Sequence, residues 1–356
     1  MLMVPLVFFS ITSGVCKMGD IKQLYTVGLR FILYIIVTSG ITACIGVLAG
    51  FIVQPGRGTT EFLDASAEVE SVSYNIISWV PENIVQSMQE ANMLQIIIFA
   101  IFLGVALLAL GQKAELLIKV IDQGSEAMLK ITEFVMAFSP IGIASLMATM
   151  VATISGSTMK EVLVFIVTDY VCAIIVLIVL YPVIIKFLAK LQPLRFMKKI
   201  VEPIIVAAST TSSAATLPVS IKTAQEKLGI PENIYGFTLP LGNTCGMNGF
   251  SLFIGLCCIF ASNLYGFAIT PGRVVQFIFL GIILSVGAAG VKGAGIVMST
   301  VLLETMGMPL SLIPILAAIW PAIDPAHTVL NNTSDLVGTT VVSCQLNKTD
   351  MAIYDK

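Results

Sequence analysis

The sequence predicts an all-α polytopic membrane protein, and three observations carry that reading. Hydrophobic residues make up 57% of the chain and charged residues only 11%, where a soluble domain carries about 25% charged. The mean hydropathy is +0.97. Long apolar runs alternate with short polar gaps, and 356 residues at about 20 per spanning helix leave room for roughly seven to nine membrane segments. The formal net charge of −2 says little about partners, and no nucleic-acid partner is expected.

In chain order, the apolar runs occupy 1–13, 24–53, 71–80, 92–111, 131–153, 161–189, 233–262, 272–288 and 310–323, the last continuing to 343. MLMVPLVFFS is apolar from its first residue, with no basic segment and no small-residue cleavage site. It therefore reads as half a helix whose beginning is missing rather than as a signal peptide. The gap 54–70 sets Arg57 against Glu61, Asp64, Glu68 and Glu70, whereas 186–199 holds Lys186, Lys190, Arg195, Lys198 and Lys199 with no acid. By the positive-inside rule the second gap is cytoplasmic, and counting spans back leaves the acidic gap outside. Seven cysteines show no CxxC or Cys/His pattern. Cys44, Cys172, Cys245, Cys257 and Cys258 lie in apolar surroundings and read as small buried hydrophobes.

Two segments are too short and too broken to span: VAASTTSSAATLPVS from Val206 to Ser220, and SVGAAGVKGAGIVMS from Ser285 to Ser299. Small-residue backbone at membrane depth is tolerated only where protein buries it or it lines a cavity. Paired interruptions in matching positions point to inverted repeats with a substrate site between them. Close packing of small residues between helices would explain the glycines but not the consecutive hydroxyls from Ser209 to Ser213. A third interruption is expected in TLPLGNTCGMNGFSL, where Gly242, Gly246 and Gly249 disfavour continuous helix by about 1 kcal/mol each relative to alanine. An unwound turn there frees carbonyls of the kind that coordinate sodium. Thr244, Asn331 and Asp335 supply the oxygen ligands a hard cation prefers.

Near the end, AIDPAHTVLNNTSDLVGTT gathers polar groups inside an apolar segment, including the only histidine, His327. At 100° per residue, Asp324, Thr328, Asn331 and Asp335 fall within about 60° of one another, with His327 at the edge of the stripe. Such groups are costly in a membrane, by ~2.5–3.5 kcal/mol each, so the stripe must face a partner, a ligand or water. Asp324 followed by Pro325 also fits a helix N-cap with proline in the first turn, in a helix broken between Pro321 and Pro325. For Asp335 a hydrogen-bonded helix contact is the plainer role.

These motifs, taken together and in order, resemble the glutamate transporter family, the dicarboxylate/amino acid:cation symporters. The likeness runs from MLMVPLVF through SSAATLPV, TLPLG and SVGAAGVKGAG to the Asp-x-x-x-Thr-x-x-Asn-x-x-x-Asp spacing of the last helix. It implies a fold with two re-entrant hairpins, inverted repeats and interrupted last helices. Scaffold helices would occupy 1–23 and 54–155, with the first helix and a half missing. A transport domain would occupy 24–53 and 156–345, with the first hairpin at about 200–222, the seventh helix at 233–262, the second hairpin at about 272–308 and the eighth helix at 310–345. A cytoplasmic tail would follow at 346–356. The resemblance further implies a homotrimer in the plasma (inner) membrane, surrounded by lipid, working as an elevator and coupling a small substrate to sodium.

By position, the resemblance gives Asp324 the substrate's α-amino group. Asn331 and Ser213 take its α-carboxylate, with the hairpin tips at Thr211, Ser212, Gly290 and Val291, and Thr328 and Phe250 lie beside them. One sodium would lie at Asp335, Asn331 and carbonyls near Gly242, and a second at carbonyls of Thr244, Ser285, Val286 and Ala288. The sequence also departs from the family. His327 stands where acidic-substrate members carry arginine, and Thr211 holds the hairpin alternative, so no permanent cation or bidentate carboxylate clamp faces the substrate side chain. The family's NMDGT turn reads GMNGF, which puts Phe250 for threonine and Asn248 for aspartate. A third sodium site at Thr38, Ser39 and Asn248 thereby loses its negative charge, leaving two ions. Lys292 stands for a proline at the second hairpin tip.

The expectation is sodium-coupled symport of an amino acid, with Asp324 selecting the amino group and His327 with Phe250 favouring a neutral or polar side chain. The alternative is sodium- or proton-coupled symport of aspartate, glutamate or a C4-dicarboxylate, accommodated by a protonated His327. An intramembrane hydrolase with Ser212 or Ser213 as nucleophile and His327 as base lacks a GxSxG context. A channel lacks rings of repeated charge.

Overall fold

The computed structural model describes residues 3–16, 24–58, 80–90, 92–138, 155–287 and 294–355, with 141–142, 144–145 and 148 between them. Among the described residues the chain is helical throughout, with no strand. A spanning segment must satisfy its own backbone polar groups, and a helix does so within itself. The helices in order are α1 (Met3–Cys16), α2 (Leu29–Val53), α3 (Ile84–Gln89), α4 (Met93–Leu110), α5 (Glu115–Ala137) and α6 (Gly156–Ile175). α7 (Tyr181–Ile184), α8 (Pro193–Lys199), α9 (Val201–Thr210), α10 (Ser213–Glu226) and α11 (Glu232–Cys245) follow. The chain ends with α12 (Asn248–Tyr265), α13 (Pro271–Gly287), α14 (Ala294–Thr305), α15 (Ile313–Gln345) and α16 (Met351–Tyr354).

Five helical stretches of the described residues are long and apolar enough to cross a membrane: Thr26–Val53, Ile98–Met128, Gly156–Ala189, Glu232–Tyr265 and Leu310–Gln345. They fall on the predicted runs, except that the second passes the expected end at 111 through a 3-10 turn, Gly111–Ala114, into α5. Of the predicted run 71–80 only Val80 is described, and of 131–153 the described residues are 131–138, 141–142, 144–145 and 148.

α1 packs on both α4 and α5. A Cβ on Gly104 would lie 2.6 Å from that of Val15, and Ser13 donates to Asp122 Oδ1 at 2.5 Å. Elsewhere α2 crosses α12 at backbone contact. A Cβ on Gly46 would lie 2.2 Å from the Leu252 carbonyl oxygen, and one on Gly255 would lie 2.2 Å from that of Ala43. Small-residue packing of helices, weighed for the hairpins, is realised here instead.

α9 and α10 form the first re-entrant hairpin, of 10 and 14 residues, too short for either arm to span. Thr211 turns the chain with φ 51° and ψ 34°. Ser212 then caps α10, its hydroxyl accepting from the Ala215 N–H at 3.3 Å. The hydroxyl run thus has a local cause as well as a chemical one: it ends one helix and begins the next. α13 and α14 are the arms described for the second hairpin; Ala288, Gly290, Val291 and Lys292 lie outside the described residues.

The expected interruption of the seventh helix falls between α11 and α12, where Gly246 and Met247 leave helical geometry (φ/ψ −106°/51° and −89°/68°). The break expected at Pro321 to Pro325 does not form. α15 runs 33 residues with both prolines inside it, so Asp324 lies mid-helix and is not an N-cap. Each proline removes one backbone bond, but the turns around them are held by packing, and the Tyr170 hydroxyl of α6 donates to the Ala322 carbonyl.

Candidate functional site

The polar face of α15 enters the space enclosed by α2, α6, α10 and the α11–α12 break. Thr328, Asn331 and Asp335 are buried, and Asp324 is half-buried. Water does not reach most of this stripe, so its groups are satisfied by neighbouring helices or by what binds there.

Asp335 faces the break. A Cβ on Gly242 would lie 2.2 Å from its Oδ1 and one on Gly246 would lie 2.7 Å away, so both glycines give the carboxylate its room. The Gly242 carbonyl accepts from the Gly246 N–H at 2.6 Å. A buried carboxylate beside an unwound turn is a donor set that fits sodium, which takes carboxylate and carbonyl oxygens. Among the described residues no group of three or more His, Cys, Asp and Glu side chains gathers as a metal centre. Thr244, expected for the second ion, is half-buried and donates to the Pro240 carbonyl at 2.8 Å. Ser285 instead reaches the Thr38–Ser39 region, its hydroxyl donating to Ser39 Oγ at 3.3 Å and to the Ile282 carbonyl at 2.7 Å. Val286 beside it is half-buried.

Asn248 joins three helices. Its Oδ1 accepts from Ser39 at 2.9 Å and from Thr38 at 3.4 Å on α2, and its Nδ2 donates to Ser334 Oγ on α15 at 2.7 Å. Tyr34 closes the network on the Ser334 carbonyl at 3.1 Å. The three helices meet here through neutral hydrogen bonds.

Ser213 and Asn331, both expected at a substrate carboxylate, have different partners here. Ser213 Oγ accepts from Asn332 Nδ2 at 3.2 Å, and Asn331 Oδ1 accepts from the Gly249 N–H at 2.8 Å. Asn332 and Ser334 were not singled out by the sequence pattern. Thr211 and Ser212 sit half-buried at the hairpin tip. Phe250 is buried, stacks on Phe253 (centroids 5.8 Å apart, planes 21°) and meets Trp320 edge-on at 6.0 Å.

His327 has a partner that sequence reasoning missed. Its Nε2 lies 2.9 and 3.0 Å from the two oxygens of Asp169 on α6. Both side chains are nearly inaccessible, at 2% and 0%. Phe253 and Trp320 flank the imidazole, with centroids 5.7 and 5.6 Å from its own, and Nδ1 is buried without a partner. The signal for Asp169 was present: it is the only ionisable carboxylate in the apolar run from Val162 to Ile185. An intramembrane acid is by default a functional candidate.

Residues 1–344 match the sodium:dicarboxylate symporter family. The chain is 28% identical to the proton/sodium-glutamate symport protein of Geobacillus stearothermophilus, over 93% of this chain and 81% of that relative. It is 31% identical to an uncharacterized symporter of Haemophilus influenzae, over 98% and 84%. It is 28% identical to the proton/glutamate-aspartate symporter of Escherichia coli, over 98% and 83%. Together with an all-helical fold of apolar spans and a buried polar face, these likenesses place the chain: it is an integral membrane transport protein, not an enzyme, a secondary symporter belonging to the sodium:dicarboxylate symporter family.

Proposed function

We propose that the chain carries an acidic amino acid, aspartate or glutamate, coupled to sodium or protons. The observation that carries this reading is that the two relatives above with a named substrate transport glutamate or glutamate and aspartate. It replaces the neutral or polar preference expected from His327 and Phe250. Asp324 holds the amino group, which sets an amino acid above a plain C4-dicarboxylate. Asn331, Ser213 and the hairpin tips, including Gly290 and Val291, hold the α-carboxylate. His327 faces the side chain in place of arginine. Sodium sits at Asp335, Asn331 and Gly242, with a second ion at Thr244, Ser285, Val286 and Ala288. α1, α4 and α5 form the scaffold of a trimer, against which the remaining helices move as an elevator. The basic segment 186–199 and the tail face the cytoplasm, which the pairing of Arg195 with Asp355 supports by putting both on one side.

One observation favours the neutral side chain as a second reading: Asp169 already engages His327, so the imidazole is no free cation. Sodium-driven uptake into proteoliposomes, screened over aspartate, glutamate, succinate, serine and asparagine, tests both. Uptake of aspartate or glutamate supports the first reading. Uptake of serine or asparagine alone overturns it, and uptake of succinate alone removes the role given to Asp324.

A further inference from the structure

We propose that Asp169 and His327 form a proton-binding pair in which the unpartnered His327 Nδ1 takes up the proton that travels with the substrate. This rests on the acidic-substrate reading above and adds to it Asp169 and the site at which the proton is held. An ionised carboxylate only accepts hydrogen bonds. In the proposed pair Asp169 is ionised, so with both its oxygens at 2.9 and 3.0 Å Nε2 carries the hydrogen, and in the neutral ring Nδ1 is a bare acceptor. Nδ1 is buried and unpaired in a structure whose other polar side chains along this face mostly find partners. A bare acceptor repels a substrate carboxylate. A proton drawn from solvent onto Nδ1 converts it to a donor, and the imidazolium then lies between two carboxylates, Asp169 on one side and the substrate on the other. Each carboxylate favours the charged ring. Substrate and proton therefore bind together and leave together on the opposite side.

Few other charged groups compete for this proton. Tyr170 and Cys172 share α6 with Asp169, and Tyr170 is engaged with the Ala322 carbonyl. Cys172 and, from α12, Cys257 lie within the field of Asp169. On α15 itself Asp324 is one turn before His327 and Asp335 is two turns after. α14 meets this region through Gly295 against Trp320, with its Glu304 at the far end of that helix. α2 presents the hydroxyls of Tyr34, Thr38 and Ser39. α9 and α10 present Thr210 and Ser213, and Tyr181 at the start of α7 donates to the Leu330 carbonyl. α11 brings Thr238 to Thr339.

The test uses the purified full chain in saturating sodium. Aspartate affinity is measured between pH 6 and 8.5, together with proton uptake on binding, followed by an indicator dye in weak buffer. In the wild type, affinity should fall by up to about tenfold per pH unit toward the alkaline end, with protons taken up as aspartate binds. His327→Arg should abolish the uptake and flatten the pH profile, because arginine keeps its charge throughout. His327→Gln replaces it if the longer side chain does not fold. Asp169→Asn should move the profile to lower pH, a shift that a purely structural role would not produce. Aspartate binding with no proton uptake and no pH dependence in the wild type overturns the pair while leaving the acidic-substrate reading intact. No binding of any acidic amino acid at pH 6, with binding of a neutral one, overturns both.

Discussion

Replacing Gly242 by alanine tests whether Asp335 is a sodium ligand. The new Cβ would stand 2.2 Å from Asp335 Oδ1, 2.6 Å from its Cγ and 3.1 Å from Phe31 Cζ. Ordinary non-bonded contact lies near ~3.5 Å, so the carboxylate must retreat by more than ~1 Å. Phe31, which is fully buried, blocks one direction of relief. Overpacking of this kind costs roughly 1–3 kcal/mol. A cation held by oxygen ligands at fixed distances loses one of them, so sodium affinity should fall by at least about tenfold, equivalent to about 1.4 kcal/mol. Gly236→Ala is the control. It lies in the same helix with only Glu232 Cγ near, at 3.9 Å, and should stabilise by roughly 0.5–1 kcal/mol through helix propensity alone. The assay is the thermal midpoint of the purified protein against sodium concentration, with choline as the reference cation; stabilisation grows with the logarithm of ligand concentration above Kd. Gly242→Ala should shift the sodium curve to higher concentration while Gly236→Ala leaves it in place. An unshifted curve for Gly242→Ala would refute the assignment of Asp335, because no displacement of that carboxylate could then matter to the ion.

Asn248→Asp places a charge between Thr38 and Ser39, while the Ser334 hydroxyl can turn to donate to it; the sodium dependence of stabilisation should steepen, and an unchanged slope would count against a latent third site. Gly255→Ala sets a Cβ 2.2 Å from the Ala43 carbonyl oxygen and 3.1 Å from the Val47 nitrogen. Backbone on both sides cannot yield cheaply, so the thermal midpoint should drop, by roughly 1–3 kcal/mol of stability; an unmoved midpoint would show that α2 and α12 are not held at this crossing. Burial pushes the Tyr354 phenol in the tail up to about 12, with Cys344 as the next cause. Its contribution is therefore complete below the ordinary phenol value near ~10 and is lost as pH climbs through about 12. Tyr354→Phe should remove that loss, read as tryptic cleavage at Lys348 against pH. At neutral pH it should cost less than about 1 kcal/mol, because the hydroxyl it removes has no partner and the ring under Lys199 remains.

Much of this architecture was legible along the chain because its causes are local. Apolar length set the five crossing stretches, and the short hydroxyl-rich segment around 209–213 marked an interruption, which falls at the Thr211 turn capped by Ser212. Glycines at 242, 246 and 249 pointed to the break that falls at Gly246 and Met247. The stripe of Asp324, Thr328, Asn331 and Asp335 follows from helical period alone. Proline misled: it weakens one backbone bond, and packing along α15 outweighed that loss. Partnerships across the stripe were a different matter. A step of one residue turns a side chain by about 100°, so the rotation of α15 against its neighbours chose Asn332 rather than Asn331 for Ser213. The same rotation carried His327 to Asp169, 158 residues earlier in the chain. The sequence by itself determined that a buried polar face exists and roughly which residues compose it. Only the tertiary structure decided which of them meet, because that depends on how several helices are turned and pressed together rather than on any one of them.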